Sequence, residues 1–424
     1  MRIQLIISAL TITESHFCLW WKCGKIINTH MDRPMKIAMM VRAFIPAPRP
    51  RDMIYAPIDL AVAIAKGLGA RGHQITLFSP LGTEVHGENI VVESMNLRAL
   101  VKNQNEFLAL LENTEQLGHD VHGLWDRYMT NEMFARANRG EFDLLHFHHP
   151  ESALSTASRN RKIPTVYTLH DPIFPWYKEL FDLYRTSNQH YISISNNQRR
   201  DAPDLQYLDT VYNGTNIDLF TFSDKHENYL LYTGRIGAEK GVKEAIQVAR
   251  ASNHRLLIIG PINHGSQGYF DQYIKPELDD QILYLGRIDQ DGLPKYYQKA
   301  KAVLTPVQWE EPFGLTTIEA LACGTPVLSL HRGAAPEIIV NGKNGFVVPS
   351  VSEMVEAVAK IDTINRIDCR RHVEQHFSTT QMVDGYEAAF RKLLKHQDPS
   401  QKTTKFIKQK MRDVRRILPG LLTE

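Results

Sequence analysis

Trp309-Glu310-Glu311-Pro312-Phe313-Gly314-Leu315-Thr316-Thr317-Ile318-Glu319-Ala320-Leu321-Ala322-Cys323-Gly324-Thr325-Pro326-Val327 sets two carboxylates, Glu311 and Glu319, around a turn, with seven residues between them. Pro312-Phe313-Gly314 forms the turn. The residues after it predict a short helix from Thr316 to Cys323, ended by Gly324 and kept from continuing by Pro326. Thr325 to Leu330 then reads as a buried strand. Glu311 therefore lies in a loop that feeds a helix N-terminus, and Glu319 lies on the helix. Free amides in a first helical turn attract an anion, phosphate above all. A carboxylate on each side can accept hydrogen bonds from hydroxyls. The pair describes a pocket for a phosphorylated, hydroxyl-rich ligand. The plainer alternative is a loop, helix and strand with incidental acids.

A second strand–loop–helix unit lies upstream. Tyr229 to Thr233 is the strand, Gly234-Arg235-Ile236-Gly237-Ala238-Glu239-Lys240-Gly241 the loop, and Val242 to Ala251 the helix. Glycine lets backbone come close to a phosphate. Arg235 offers a planar fork and Lys240 a mobile point charge, a combination suited to two phosphates. The Walker pattern is absent. A solvated basic loop is the competing reading. Farther upstream, the apolar strand Thr165–Leu169 ends at His170-Asp171. Polar groups at the carboxyl ends of parallel strands face the ligand crevice, although a lone histidine is more often a satisfied core or surface residue. The strand from Phe142 to Phe147 carries His146, His148 and His149 at its end. No carboxylate or cysteine spacing there supports a zinc site.

The rest of the chain repeats the alternation. Strands are expected at Lys36 to Val41, Gln74 to Phe78 and Tyr191 to Ile194 in the first half. In the second half they are expected at Arg255 to Ile259, Ile282 to Leu285, Ala302 to Pro306 and Gly345 to Val348. A helix from Asp59 to Ala70 presents Leu60, Ile64 and Leu68 on one face. Repeated strand–helix alternation implies an α/β protein with doubly wound parallel sheets.

These stretches resemble the retaining glycosyltransferases of family 4, the glycosyl transferases of group 1. The hallmark E-x7-E followed by A-x-A-x-G-x-P-V is matched by Glu311, Glu319, Ala320, Ala322, Gly324, Pro326 and Val327. The pattern G-R-x4-K-G is matched at Gly234, Arg235, Lys240 and Gly241, and T-x-H-D at Thr168, His170 and Asp171; relatives often end the preceding strand in histidines, which implies that His146, His148 and His149 line the crevice. The resemblance covers residues 35 to about 395. It implies the GT-B architecture, two Rossmann-like domains facing across a cleft. Residues 35–215 would form the acceptor-side domain and 216–380 the nucleotide-sugar domain, with the boundary near Asn213-Gly214-Thr215-Asn216. Residues 381–395 would form a helix crossing back onto the first domain.

The resemblance also implies an activity, transfer of a hexosyl group from a UDP- or GDP-linked sugar to a hydroxyl acceptor: a glycan, a lipid or a small molecule. Arg235, Lys240 and the Gly314, Leu315 and Thr316 amides would hold the donor diphosphate. Glu319 would take the ribose, Glu311 and Phe313 the sugar. His170 and Glu311 would be the catalytic groups, with His170 supporting developing positive charge. The departing phosphate would take the acceptor proton. No cofactor and no metal are implied. Asp289-Gln290-Asp291 has the D-x-D spacing of manganese-dependent transferases but reads as a loop and helix cap. One departure matters. Relatives carry a Gly-Gly loop after the first strand, where this chain has Phe44 to Pro57 with four prolines. Proline removes amide donors, and Arg49 and Arg51 either replace that charge or are solvated. A sugar-nucleotide binding protein with weak or no transfer, or another GT-B enzyme such as an epimerase, is the alternative.

Composition agrees with an enzyme of about two domains: 424 residues, 43% hydrophobic and 23% charged. A net charge of +2 gives no argument for nucleic acid. Cys18, Cys23, Cys323 and Cys369 lack a paired framework, which points to a reducing, cytoplasmic setting. No apolar run is long enough to span a membrane. Residues 1–34 read as an extension of uncertain nature: an interrupted signal-like run, or an upstream start preceding Met31 or Met35. The tail 396–424 is basic and amphipathic, able to lie on the inner face of an anionic membrane or to dock on the body as a solvated helix.

Overall fold

Runs of apolar residues with no polar alternation belong to parallel strands covered on both faces, and they build two sheets. The first contains β1 (Lys36–Met40), β2 (Gln74–Phe78), β3 (Ile90–Glu93), β4 (Leu144–Phe147), β5 (Thr165–Leu169), β6 (Gln189–Ser193) and β7 (Tyr207–Thr210). The second contains β8 (Tyr229–Thr233), β9 (Arg255–Ile259), β10 (Ile282–Tyr284), β11 (Ala302–Thr305), β12 (Val327–Leu330) and β13 (Gly345–Val348). The structure, a computed structural model, describes residues 33–111 and 120–397. The expectations for 1–32 and for the basic tail from 398 onward lie outside the described residues.

Strand order is β3-β2-β1-β4-β5-β6-β7 in the first sheet and β10-β9-β8-β11-β12-β13 in the second, all pairs parallel. Each sheet reverses direction beside its first strand. The switch points are β1/β4 and β8/β11, and crevices open at the carboxyl ends of such pairs. The doubly wound α/β expectation holds. The two strands that sequence periodicity does not pick out, β3 and β7, are edge strands, half exposed along most of their length.

Six helices matter for the site: α1 (Ala56–Ala70), α2 (Val121–Asn138), α3 (Pro175–Leu183), α4 (Val242–Ala251), α5 (Leu315–Ala322) and α6 (Thr379–Gln397). α6 packs on α1 and puts Met382, Val383, Tyr386, Phe390 and Leu393 into the first sheet's core. The chain thus passes between the sheets twice, and the two crossings lie side by side. The Thr215 N–H donates to the Phe377 carbonyl at 2.8 Å, and the Thr379 N–H to the Thr215 carbonyl at 3.1 Å. Tyr212, Phe313 and Phe377 pack together beside these crossings, with ring centroids 5.4 to 6.1 Å apart.

Polar contacts bridge the facing halves. The Glu337 carboxylate, on the short helix Ala335–Ile338, accepts from the backbone N–H groups of Asn196 (2.8 Å) and Asn197 (2.7 Å) and from the Tyr212 hydroxyl (2.9 Å). Glu310 accepts from the Asn197 side-chain amide at 3.1 Å. On the other side, the Arg287 guanidinium donates to the Arg51 carbonyl.

Candidate active site

The second sheet brings its two predicted loops together. After β8 the chain turns through Gly234–Gly241. The Tyr232 hydroxyl tethers that turn by donating to the Arg235 carbonyl at 3.0 Å. Gly241 closes it at φ 74°, where a Cβ would lie 1.8 Å from the Pro306 carbonyl oxygen. Only glycine allows the loop to sit this close to the end of β11. The closure places the Lys240 ammonium 2.5 Å from Glu311 Oε2 and 4.5 Å from the centre of the Trp309 ring. The Trp309 indole N–H donates to the same carboxylate oxygen at 2.8 Å. Arg235 stands more openly, 41% exposed, with Glu239 at 3.7 Å.

α5 begins at Gly314, whose φ of 99° is left-handed. The Thr317 N–H returns to the Gly314 carbonyl at 3.1 Å. Gly314, Leu315 and Thr316 are partly exposed at this helix start, where amides and dipole favour an anion. Phe313 differs from expectation. Its ring is buried against Tyr212 and Phe377, in the hinge, so it offers a sugar main-chain atoms and no ring face.

Glu319 is buried on α5. It accepts from the Tyr297 hydroxyl at 3.0 Å and lies 3.5 Å from the Gln290 amide. Burial outweighs both contacts and pushes its carboxyl up from 4.5 to about 7. An unfolded chain releases this proton near the ordinary value, the folded chain only near 7. Between those values the folded state holds more protons, so this group's contribution to stability falls as pH rises and levels off above about 7. Glu319→Gln keeps the neutral form. It should match wild type in urea unfolding near pH 4 and exceed it by about 3 kcal/mol near pH 8. A difference that does not change with pH would mean the carboxyl ionises normally in the folded protein.

The first sheet supplies a histidine relay. His170, at the end of β5, is bonded through Nε2 to His148 Nδ1 at 2.9 Å, with the rings stacked at 5.2 Å. His148 packs on His146 at 4.3 Å. His146 Nε2 meets Thr168 Oγ1 at 2.8 Å, and Thr168 meets the Tyr386 hydroxyl of α6 at 3.0 Å. His170 is thus oriented by groups beneath it and by the crossover helix. Burial pushes it down to about 3, so the imidazole is neutral near pH 7. His146 is fully buried and His148 nearly so, which makes them supports rather than crevice lining. His149 alone faces the polar group at the β1 end, between Arg42 at 3.0 Å and Glu151 at 3.3 Å.

Sequence reasoning misses what holds that group. Arg42 is bound to Asp126 of α2 at 2.8 Å, and Asp126 also accepts from the Ala43 N–H at 2.7 Å. This buried pair fixes the start of the loop that lacks the glycine pair. Within the loop, Arg49 is committed to Asp59 at 2.8 Å and to the Met53 carbonyl, so it serves the loop's own structure. Arg51 is exposed. Asp289 is paired with Arg287 at 3.0 Å and precedes the helical turn Gln290–Gly292. Among the described residues, no group of three or more His, Cys, Asp or Glu side chains is placed to hold a metal ion. No helix among them is long and apolar enough to cross a membrane.

Two family profiles match the chain: glycosyl transferases group 1 over residues 216–374 and glycosyltransferase family 4 over residues 60–219. An uncharacterized 41.2 kDa protein of the Klebsiella pneumoniae cps region is 30% identical over 38% of this chain and 46% of its own length. A lipopolysaccharide 1,2-N-acetylglucosaminetransferase of Salmonella typhimurium is 30% identical over 34% of this chain and 40% of its own length. The chain therefore spans less than half of those two relatives. A phosphatidyl-myo-inositol mannosyltransferase of Mycobacterium leprae is 25% identical over 68% of this chain and 78% of its own. In fold, the chain is similar to sucrose-phosphate synthase from Thermosynechococcus elongatus, with a TM-score of 0.65 at 17% identity over 85% of this chain and 100% of that one. It is also similar to the Anabaena protein HepE in complex with UDP and glucose, with a TM-score of 0.58 at 18% identity over 84% and 98% of the two chains.

Proposed function

The chain belongs to the family 4 glycosyltransferases, the glycosyl transferases of group 1, and we propose that it is a retaining hexosyl transferase using a UDP- or GDP-linked sugar and a hydroxyl acceptor. The observation that carries this reading is the Lys240–Glu311 contact over Trp309. It joins the basic loop after β8 to the acidic loop before α5 at the switch point of the second sheet. A cation for the diphosphate and a carboxylate for the sugar thus stand side by side. The Anabaena protein's complex with UDP and glucose supports a nucleotide-sugar donor.

In this reading Arg235, Lys240 and the Gly314–Thr316 amides stabilise the leaving diphosphate, a charge that grows in the transition state. Glu319 takes the ribose. Neutral His170 holds the sugar without repelling positive charge at its anomeric carbon. Domain closure, with Glu337 and Glu310 gripping Asn196 and Asn197, brings acceptor and donor into contact. The departing phosphate takes the acceptor proton. A thermal-shift screen of nucleotide sugars, followed by transfer assays, tests the reading. A protein that stabilises with a donor and hydrolyses it, yet transfers to no acceptor, would be a sugar-nucleotide binding protein instead. The committed Arg49 and the proline-rich loop favour that second outcome.

Turnover should survive excess chelator, because Lys240 and Arg235 supply positive charge and Asp289 is already paired with Arg287. Loss of activity in EDTA with recovery on adding Mn²⁺ would return Asp289 and Asp291 to the site.

A further inference from the structure

The donor chemistry leaves an aromatic surface on the first sheet's side of the cleft unused. β5 runs through His170 and Asp171 almost directly into α3. Phe174, just ahead of α3, and Trp176 in its first turn are 45% and 55% exposed. Their rings lie 6.2 Å apart and 12° from parallel. Trp176 in turn stacks on Tyr177 at 3.8 Å and 25°. Tyr177 is an electrostatic neighbour of the Glu151 carboxylate, which lies 3.3 Å from His149. The three-ring stack therefore adjoins the polar group at the ends of β1 and β4, and a few residues of chain separate it from His170. Exposed apolar area gathered into one patch, unlike scattered single side chains, marks a binding surface.

Charge around the patch selects among occupants. Lys178 is paired with Asp182 at 2.8 Å, and Arg185 is shared between Asp182 and Asp204. Asp171 and Glu179 are exposed, and Lys178 is the only cation on α3. An anionic lipid surface needs unpaired cations beside its aromatic anchors, and α3 offers carboxylates instead. A pyranose has a flat face of C–H groups that packs on an aromatic ring, and edge hydroxyls that donate to carboxylates. We propose that Phe174, Trp176 and Tyr177 form an acceptor subsite for a saccharide ring stacked on Trp176, with the exposed Asp171 carboxylate accepting from its hydroxyls. The proposal rests on the transferase reading and specifies the acceptor as a carbohydrate-bearing molecule.

The test uses the full chain. Maltotriose, mannotriose, cellotriose and chitotriose are titrated by calorimetry with and without UDP, and UDP-glucose and GDP-mannose are titrated separately. At least one trisaccharide should bind. Trp176→Ala should weaken it about tenfold, Trp176→Phe should keep most of it, and both should bind nucleotide sugar as wild type does. With an active acceptor, Trp176→Ala should raise the acceptor KM and leave kcat nearly unchanged. Three results would overturn the subsite: no trisaccharide binding, trisaccharide binding indifferent to Trp176→Ala, or phosphatidylglycerol-vesicle binding that Trp176→Ala removes. Failure of both nucleotide sugars to bind would sink the transferase reading separately, because trisaccharide binding at Trp176 is measured without a donor.

Discussion

Lys240→Ala should lower kcat/KM for the nucleotide sugar by about 100- to 1,000-fold, roughly what removal of one preorganised charge-stabilising donor costs. In the free protein the Lys240 ammonium lies 2.5 Å from Glu311 and is only 17% exposed. An ammonium has three N–H donors, so Lys240 can hold Glu311 and still reach a phosphate oxygen. Alanine removes that contact, worth roughly 1.5–3 kcal/mol as a charge-assisted bond. It also leaves the Glu311 carboxylate unneutralised where a diphosphate must approach, and this repulsion pushes the loss beyond a single contact. Arg235→Ala should cost less, about tenfold, because Arg235 is 41% exposed and screened by water. Calorimetry with UDP and GDP and steady-state kinetics check both variants. Wild-type nucleotide affinity in Lys240→Ala would remove the diphosphate from this loop.

How much of the fold is legible in the sequence depends on which interactions are local. β5 and β8 are buried at every residue, and β1 and β9 at all but the first. A strand covered on both faces must be an uninterrupted apolar run, so sequence alone identifies it. β3 (IVVE) and β7 (YLDT) sit at sheet edges with mixed exposure, and four mixed residues carry no readable period. α2 hides for a related reason. Its buried face includes Asp126 and Thr130 beside Met133 and Phe134, because Asp126 must reach Arg42. A polar residue buried for a distant partner breaks the apolar stripe that would reveal the helix.

The site divides along the same line. The loops holding Lys240 and Glu311, and the short helix carrying Glu319, stand out because glycine and proline punctuate them. Which way each side chain turns depends on residues far away in the chain. Phe313 turns into the hinge because Tyr212 and Phe377 wait there. Glu337 grips Asn196 and Asn197 only once the two halves face each other. His170 owes its orientation to His148 and, through His146 and Thr168, to Tyr386 on the crossover helix. No window of sequence contains both ends of these contacts.

Glu311→Gln should separate binding from chemistry. Glutamine keeps the size of the side chain and can still accept from the Trp309 indole, which now donates to Glu311 Oε2 at 2.8 Å. It cannot neutralise Lys240. The freed ammonium then meets the donor diphosphate without competition, so nucleotide affinity should stay unchanged or rise a few-fold. Turnover should move the other way. If the carboxylate orders the sugar hydroxyls and offsets positive charge developing at the anomeric carbon, kcat should fall by about 100-fold, a loss of about 2.7 kcal/mol felt only in the transition state. A lysine merely propped by Glu311 would give the opposite signature, because losing the prop would weaken nucleotide binding and leave kcat at saturation nearly intact. Steady-state kinetics paired with nucleotide calorimetry on Glu311→Gln distinguish the two. Wild-type kcat with weakened nucleotide binding would make Glu311 a positioning residue for Lys240 and take it out of the chemistry.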